Sequence, residues 1–419
     1  MKYFFLVLLL ALTTLAFSAD IRAIKAGAVF QPREGVVTGP MVILIENGLI
    51  TAVGKDLTIP DNATIFDLSE AVVIPGLIDC HTHLCWHTHD RKNDGYVLSI
   101  VREPTAYRAI QGVANARDML AAGFTTVRDL GNAANYADTS LRLAIEDRLV
   151  PGPQVVNAGR LISPFGGQRY VIPERPDFTQ PEYFFADTRD ELKKAIRENI
   201  HYGAKLIKII VDDQKYIYSE EDIRYIVAEA ADAGLLVAAH CATDRGAVRS
   251  IRAGVASLEH GFSMTADTMK LCAAAKIPLV TTTFSLPVLQ AMASDLGSSP
   301  EKSYAGGVET LRLAYEHGVT VAFGSDVINK VPGMDRGQAT LSYIQSFKDA
   351  GATSLQTLQA MTINAAATLG MQQTRGEIKP GMVADIIALK ADPLKDIEQL
   401  KSVFFVMKHG EVHQRGSRQ

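Results

Sequence analysis

Cysteine is scarce in this chain: 419 residues carry four, Cys80, Cys85, Cys241 and Cys272, at no regular spacing. That pattern argues against a disulfide-stapled scaffold, and free thiols packed in the interior are predicted instead. A dominant charge is missing as well, since 42 Lys and Arg face 46 Asp and Glu for a net charge of -4. No polybasic surface for nucleic acid or another polyanion is available. Nor does any apolar run reach the roughly 20 residues needed to span a bilayer. The longest, Tyr3 to Leu15, follows Lys2 and precedes the small residues Ala16, Ser18 and Ala19, which is the layout of a secretory signal peptide. Residues 1–19 are therefore set apart from the fold, a secreted or periplasmic location is predicted, and no cysteine follows to take a lipid. Finally, no Gly-rich phosphate loop follows the first strand of the central region, which weighs against an open nucleotide-binding sheet.

What is present falls into two styles. From residue 20 to about 73 the chain reads as short alternating strands, with Asn47-Gly48 between two β-rich runs as a hairpin signal. Residues 374–419 repeat the style in VADIIALK and SVFFVMK, with His409-Gly410 as the turn. One small β-sandwich built from both ends of the mature chain accommodates both segments. Between them, over residues 74–373, strands and helices alternate, which points to parallel strands with crossover helices. Eight strand candidates can be counted: VVIPGLID, FTTVRD, PQVVNAG, KLIKIIV, LLVAAH, ASLEH, IPLVTTT and VTVAFGSD. Helices are predicted over SEEDIRYIVAEAADAG, capped by Ser219 with Asp222 and closed at Gly234, and from Asp244 to Gly254. The predicted fold class is α/β, a (β/α)8 barrel carrying the β-sandwich. The long stretch from Gly159 to Asp187 after the third strand is read either as a lid over the barrel mouth or as a loop packed on the rim.

Five strand candidates carry, at or near their ends, side chains of the kind that bind metals. His81 and His83 stand two apart at a strand end and can act as a two-toothed claw, although one core and one exposed histidine is the ordinary alternative. His87 and His89 follow as rim residues or substrate contacts. Lys208 shares a strand face with Leu206 and Ile210, opposite Lys205, so it is predicted to point into the barrel. An unpaired ammonium there is costly. Either it pairs with a buried carboxylate, or its pKa falls and the neutral amine takes up carbon dioxide as a carbamate whose two oxygens can bridge two cations. His240 and His260 lie one βα unit apart, which places them on neighbouring strands, and Asp326 ends VTVAFGSD, where a carboxylate can bind a cation and accept a proton. By strand parity Cys80 and Cys241 are predicted to point away from His81 and His240.

Together these positions resemble the amidohydrolase superfamily in its binuclear, carboxylated-lysine form. The runs IPGLIDCHTH, AAGFTTVRDLG, GVASLEHG, and NAAATLG followed by GEIKPGMVADIIAL are similar to its imidazolonepropionase-related branch, which includes secreted Xaa-Pro and Xaa-Arg dipeptidases and ochratoxin-type amidases. The resemblance spans about Ile21 to Val412. It implies two divalent ions, commonly zinc, with His81 and His83 on one, His240 and His260 on the other, and Lys208 as a bridging N6-carboxylysine. It further implies Asp326 as ligand and general base toward a bridging hydroxide. Imidazolonepropionase itself uses a simpler site without the lysine, so its reaction matches poorly. Two departures weigh against proline-specific cleavage: Cys241-Ala242 stands where some relatives place a Tyr, and Gly166-Gly167-Gln168 where many read GGH. Arg169 and Tyr170 beyond it are candidate substrate contacts, with a solvated surface arginine as the alternative for Arg169.

The function expected on these grounds is hydrolysis of an amide or peptide bond in a small molecule, a dipeptide or an N-acyl amino acid. A cyclic amide hydrolase of the hydantoinase or dihydroorotase kind is the alternative, and a substrate panel separates the two. A non-catalytic metal-containing solute-binding protein is a third reading, against which the presence of Asp326 beside a complete ligand set argues. No stable membrane span is expected, and homo-oligomerisation is left open.

Overall fold

A computed structural model describes residues 20–86, 102–131, 134–168, 174–213, 215–293 and 296–415. The predicted signal peptide, His87, His89, Arg169 and Tyr170 lie outside these residues.

Strands β1 (Ile21–Gln31), β2 (Val36–Thr38), β3 (Met41–Glu46), β4 (Leu49–Gly54) and β5 (Thr64–Pro75) open the chain. The turn between β3 and β4 puts Asn47 and Gly48 at φ 51° and 81°, the left-handed pair that a tight two-residue hairpin needs. Ten barrel strands and strand extensions follow: β6 (Leu77–Thr82), β7 (Phe124–Asp129), β8 (Gln154–Asn157), β9 (Leu161–Ser163), β10 (Tyr183–Phe185), β11 (Ile207–Ile210), β12 (Val237–Cys241), β13 (Ser257–His260), β14 (Leu279–Val280) and β15 (Val321–Ala322). Then β16 (Ile386–Leu389), β17 (Phe405–Lys408) and β18 (Glu411–Arg415) return to the first sheet. Its order is β18-β17-β16-β5-β1-β3-β4, with β2 on β1. The sheet folds over on itself, so that Leu49 at its far edge bridges Val383 just ahead of β16. Ile24, Ile43, Val73, Ile386 and Phe405 fill the space enclosed.

Each of the eight strand candidates contains a parallel barrel strand. Ladders run β6-β7-β8 and β9-β11-β12-β13-β14-β15. The barrel closes through Lys205 N donating to Asn157 O (2.7 Å) on one side and Cys80 N to Phe323 O (2.8 Å) on the other. Around it lie α1 (Thr105–Ala121), α2 (Ala137–Glu146), α3 (Arg189–His201), α4 (Glu220–Ala231), α5 (Asp244–Ala253), α6 (Ala266–Ala275), α7 (Leu286–Ala291) and α8 (Pro300–Glu316). Ser219 and Asp222 cap α4 reciprocally, as their spacing predicts, and Thr243 caps α5. Ile207, Ile209, Leu258, Leu279 and Phe323 point outward and pack against the helices. Inside, Ile78, Val156, Leu206, Ala238, Val280 and Ala322 form a second apolar layer, plugged from below by Ala365, Ala366 and Leu369.

Three details differ from the sequence reading. VVIPGLID is two strands: β5 ends at Pro75, and Gly76 N donates to Asp385 O in the sandwich while Leu77 N donates to Gly123 O in the barrel. The 159–187 stretch is built into the barrel wall at both ends, because β9 pairs with β11 and β10 pairs with β9. Strand parity fails at β6, where a register irregularity between Asp79 and Thr82 lets Cys80 and His81 both face inward. Cys80 Sγ aims at the base, 3.7 Å from Ala365 O, and all four cysteines are free and buried.

Candidate metal centre

The ends of β6, β11, β12, β13 and β15 converge on one cavity of about 520 Å³. His81, His83, Lys208, His240, His260 and Asp326 all line it, so the barrel brings together the whole predicted set. Ligand atoms of His81, His260 and Asp326 lie within 4.8 Å of one another. Asp326 Oδ1 sits 3.2 Å from His83 Nε2 and 3.7 Å from His81 Nε2, while its Oδ2 is 3.8 Å from His260 Nδ1. The His240 and His260 rings are 4.4 Å apart between centroids.

Backbone strain aims several of these groups. His260, Thr282 and Asp326, at the ends of three successive strands, take φ of 72°, 42° and 51°. Such left-handed geometry costs a non-glycine residue about 1–3 kcal/mol and gathers at functional sites. In β13, Ser257 and Glu259 face inward, so simple alternation would send His260 out to the helices. Its positive φ turns the ring back into the cavity, where Nδ1 lies 2.8 Å from Thr282 Oγ1. Gly324 allows β15 to approach β6 this closely, since a Cβ there would lie 2.7 Å from His81 Cβ.

Beneath the histidines lies a charged network that the sequence reading missed. Glu259 Oε2 is 2.8 Å from His81 Nδ1, and Oε1 accepts from Arg128 Nη2 at 2.7 Å and from Ser257 Oγ at 2.6 Å. Glu259, Arg128 and His81 are almost wholly buried. Burial alone would raise the Glu259 carboxyl, but Arg128 and the bond to His81 hold it down at about 2. Burial, helped by the nearby Lys208 charge, lowers His81 to about 4, so its imidazole stays neutral at ordinary pH. With Nδ1 committed to Glu259, Nε2 is left for the cavity, the arrangement that orients a metal-binding histidine. His83 is held similarly, Nδ1 lying 3.3 Å from Gly131 O. The signal was present in FTTVRD and ASLEH: an arginine and a glutamate at inward positions of two apolar strands.

Glu259→Gln is expected to lower stability by about 3–5 kcal/mol in urea unfolding at pH 7, because it strands Arg128 in the interior. The native contribution has a defined pH window. Glu259's folded pKa lies below its usual 4.5, so the stabilisation is complete above that value and lost as pH falls through about 2. The stability difference between the native protein and the variant should narrow over that range and not above it.

Lys208 is 2 % exposed and makes no hydrogen bond or ion pair with the described residues. Burial lowers its pKa to about 8, against the pull of Glu259 and Asp326. His240 Nε2 meets Asp213 Oδ2 at 3.1 Å, and Gln168 Nε2 bridges toward both, 2.8 Å from Asp213 and 3.3 Å from His240 Nδ1. Gln168, noted only as a departure from GGH, thus reaches the site from the rim. The donors suit divalent ions: imidazole nitrogens with committed partners, a carboxylate, and a buried amine left unpaired by the described residues.

Imidazoles and a carboxylate gathered at the C-terminal ends of barrel strands, around one cavity, suit a barrel hydrolase. The chain belongs to the amidohydrolase family, whose profile matches residues 72–414. It is 29 % identical over 440 residues to an ochratoxinase from Aspergillus niger, covering 94 % of this chain and 87 % of that one. It is 25 % identical to an imidazolonepropionase from Deinococcus deserti, covering 85 % and 86 %. Its structure is similar to a crystal structure of a Xaa-Pro dipeptidase with methionine bound in the active site, with a TM-score of 0.81, 27 % identity and coverage of 94 % and 100 %. The relatives are hydrolases of carbon–nitrogen bonds, and that is the chemistry of this family.

Proposed function

We propose that the chain is a binuclear metal-dependent amidohydrolase that cleaves an amide or peptide bond in a dipeptide or an N-acyl amino acid. The observation that carries this reading is Lys208, an amine unpaired by the described residues, on the cavity wall that also presents two pairs of histidines. His81, His83 and Asp326 would hold one ion, and His240 and His260 the other. Lys208 would react as the neutral amine, its nitrogen bonding to the carbon of carbon dioxide with loss of one proton, and the carbamate would add two oxygen donors to the site. Divalent ions held here, zinc in the first instance, would acidify water and polarise the substrate carbonyl.

The protein's own groups supply the rest. Asp326 is held at about 2, where burial would raise it but His81 and His83 lower it, so it is ionised and able to accept a proton at physiological pH. Oδ1 is turned to His81 and His83, and Oδ2 would receive the proton and pass it to the leaving nitrogen. Glu259 and Arg128 keep the His81 ring in register throughout. We also propose that residues 1–19 direct export, which the N-terminal residue of protein purified from its native host would reveal.

Metal analysis of the purified protein should give two equivalents per chain. Removal with a chelator should abolish hydrolysis of a panel of dipeptides and N-acyl amino acids, and zinc should restore it. Undiminished turnover after removal would end the metal-dependent reading, and preference for hydantoins or dihydropyrimidines over the linear panel would favour the cyclic amide alternative.

A further inference from the structure

The cavity is polar chiefly around the histidines, with Ser303 the exception at the other end. Away from the histidines, its wall is made by Phe284, Leu289, Met292 and Leu296, from the segment between β14 and α8, and by the adjacent pair Gly306-Gly307 in α8. The pair stands in the interior of a 17-residue helix, where glycine is the poorest helix former after proline. Two in succession weaken α8 for a reason that lies outside the helix. Ser303, Gly306, Gly307 and Thr310 share one helical face, and the first three line the cavity.

The two glycines differ in what surrounds them. A Cβ on Gly307 would lie 3.3 Å from Thr283 Cγ2, so this residue lets the helix close onto the end of β14. A Cβ on Gly306 would meet none of the described residues within 4 Å. Packing does not require glycine at 306, and φ there is not left-handed. Gly306 is exposed and lines the cavity at its rim, so the missing side chain leaves the apolar end of the cavity open on that side.

We propose that Gly306 sets the depth of an apolar subsite that receives a bulky aromatic or branched aliphatic group of the substrate, so that the preferred amides carry such a group beside the scissile bond. The inference rests on the amide-hydrolase reading of the same cavity. A pocket of about 520 Å³ is large enough for an aryl group together with the amide itself. A Cβ at 306 enters open space among the described residues, and leucine would carry apolar bulk further into it.

Gly306→Leu and Gly306→Ala should fold with Tm equal to or above that of the native protein, whereas Gly307→Ala should lower it. In the metal-loaded protein, kcat/KM would be compared for N-acetylglycine, N-acetylphenylalanine and N-(3-phenylpropionyl)glycine. Gly306→Leu should lower the ratio of at least one bulky substrate to N-acetylglycine tenfold or more, with Gly306→Ala in between. A ratio that stays constant overturns the subsite. An independent readout comes from Trp86, the chain's one tryptophan, which lines the same cavity. Titration with 3-phenylpropionate should change its fluorescence, with at least tenfold weaker binding in Gly306→Leu. If that binding difference holds while none of the three amides is cleaved, the subsite stands and the reaction assignment falls. If the amides are cleaved and neither the ratio nor the binding changes, the reaction stands and the subsite falls.

Discussion

Lys208→Ala is expected to lower kcat by on the order of 10³, the upper end of what removing one preorganised electrostatic contact costs, and to cut bound metal from two equivalents toward one. The expectation follows from where the amine sits. It is on β11 with its side chain inside the barrel, 2 % exposed and without an ion-pair partner among the described residues, in a cavity whose other donors come from the strands on both sides. As a carbamate it would join the two halves of the ligand set; without it each half is left with histidines and, on one side, Asp326. A merely structural lysine would behave differently. Its pKa is lowered from 10.5 to about 8, so the charged form is disfavoured in the metal-free fold and stability falls as pH drops from 10.5 to about 8. Removing the charge with Lys208→Met should therefore leave metal-free stability at pH 7 unchanged or raise it, by up to about 3 kcal/mol. Activity lost without stability lost is the signature of the bridge. A short carboxylate such as propionate should restore part of the activity of Lys208→Ala, and methylamine should not; rescue by the amine alone would sink the carbamate.

The cluster of candidate ligands was legible because each lies within or just after an apolar run, and a barrel turns the ends of successive runs into neighbours. Lys208 was the most telling of them, since an inward lysine has few inexpensive fates. Less visible were the residues that aim the ligands. Glu259 stands beside His260 in sequence yet serves His81 on another strand, a pairing created by barrel closure. Thr282 looks like ordinary strand sequence, and nothing in VTTT announces a left-handed backbone. Alternation placed Lys208 and His240 correctly, but misplaced the neighbours of His81, where β6 is irregular, and would have sent His260 outward. Those are sites of local strain, where tertiary closure overrides the period-two rule. The division of VVIPGLID between two bodies was hidden because both halves are buried and apolar, with only Gly76 between them.

Asp326→Asn should reduce kcat by about 10³ to 10⁴, within the range attributed to a positioned general base together with loss of a charged contact. The amide keeps the size of the carboxylate and can occupy the same left-handed backbone, which asparagine tolerates better than most residues. Folding should survive, and the rest of the cavity with it. What disappears is the oxygen that takes a proton and the negative charge that faces His81, His83 and Lys208. The pH profile separates these roles. Asp326 is held at about 2 in the metal-free fold, where burial would raise it but the neighbouring His81 and His83 lower it, so it is ionised throughout the working range and its loss should not shift an acidic limb near neutrality. The variant should instead be uniformly slow from pH 6 to 9, with KM little changed, because the group acts on the proton in flight and not on the bound amide. Metal content is the deciding control. An Asp326→Asn protein that retains both ions and still turns over at the native rate would remove Asp326 from the chemistry and move the search for the base to Asp213, which approaches the cavity from the other side, 3.1 Å from His240.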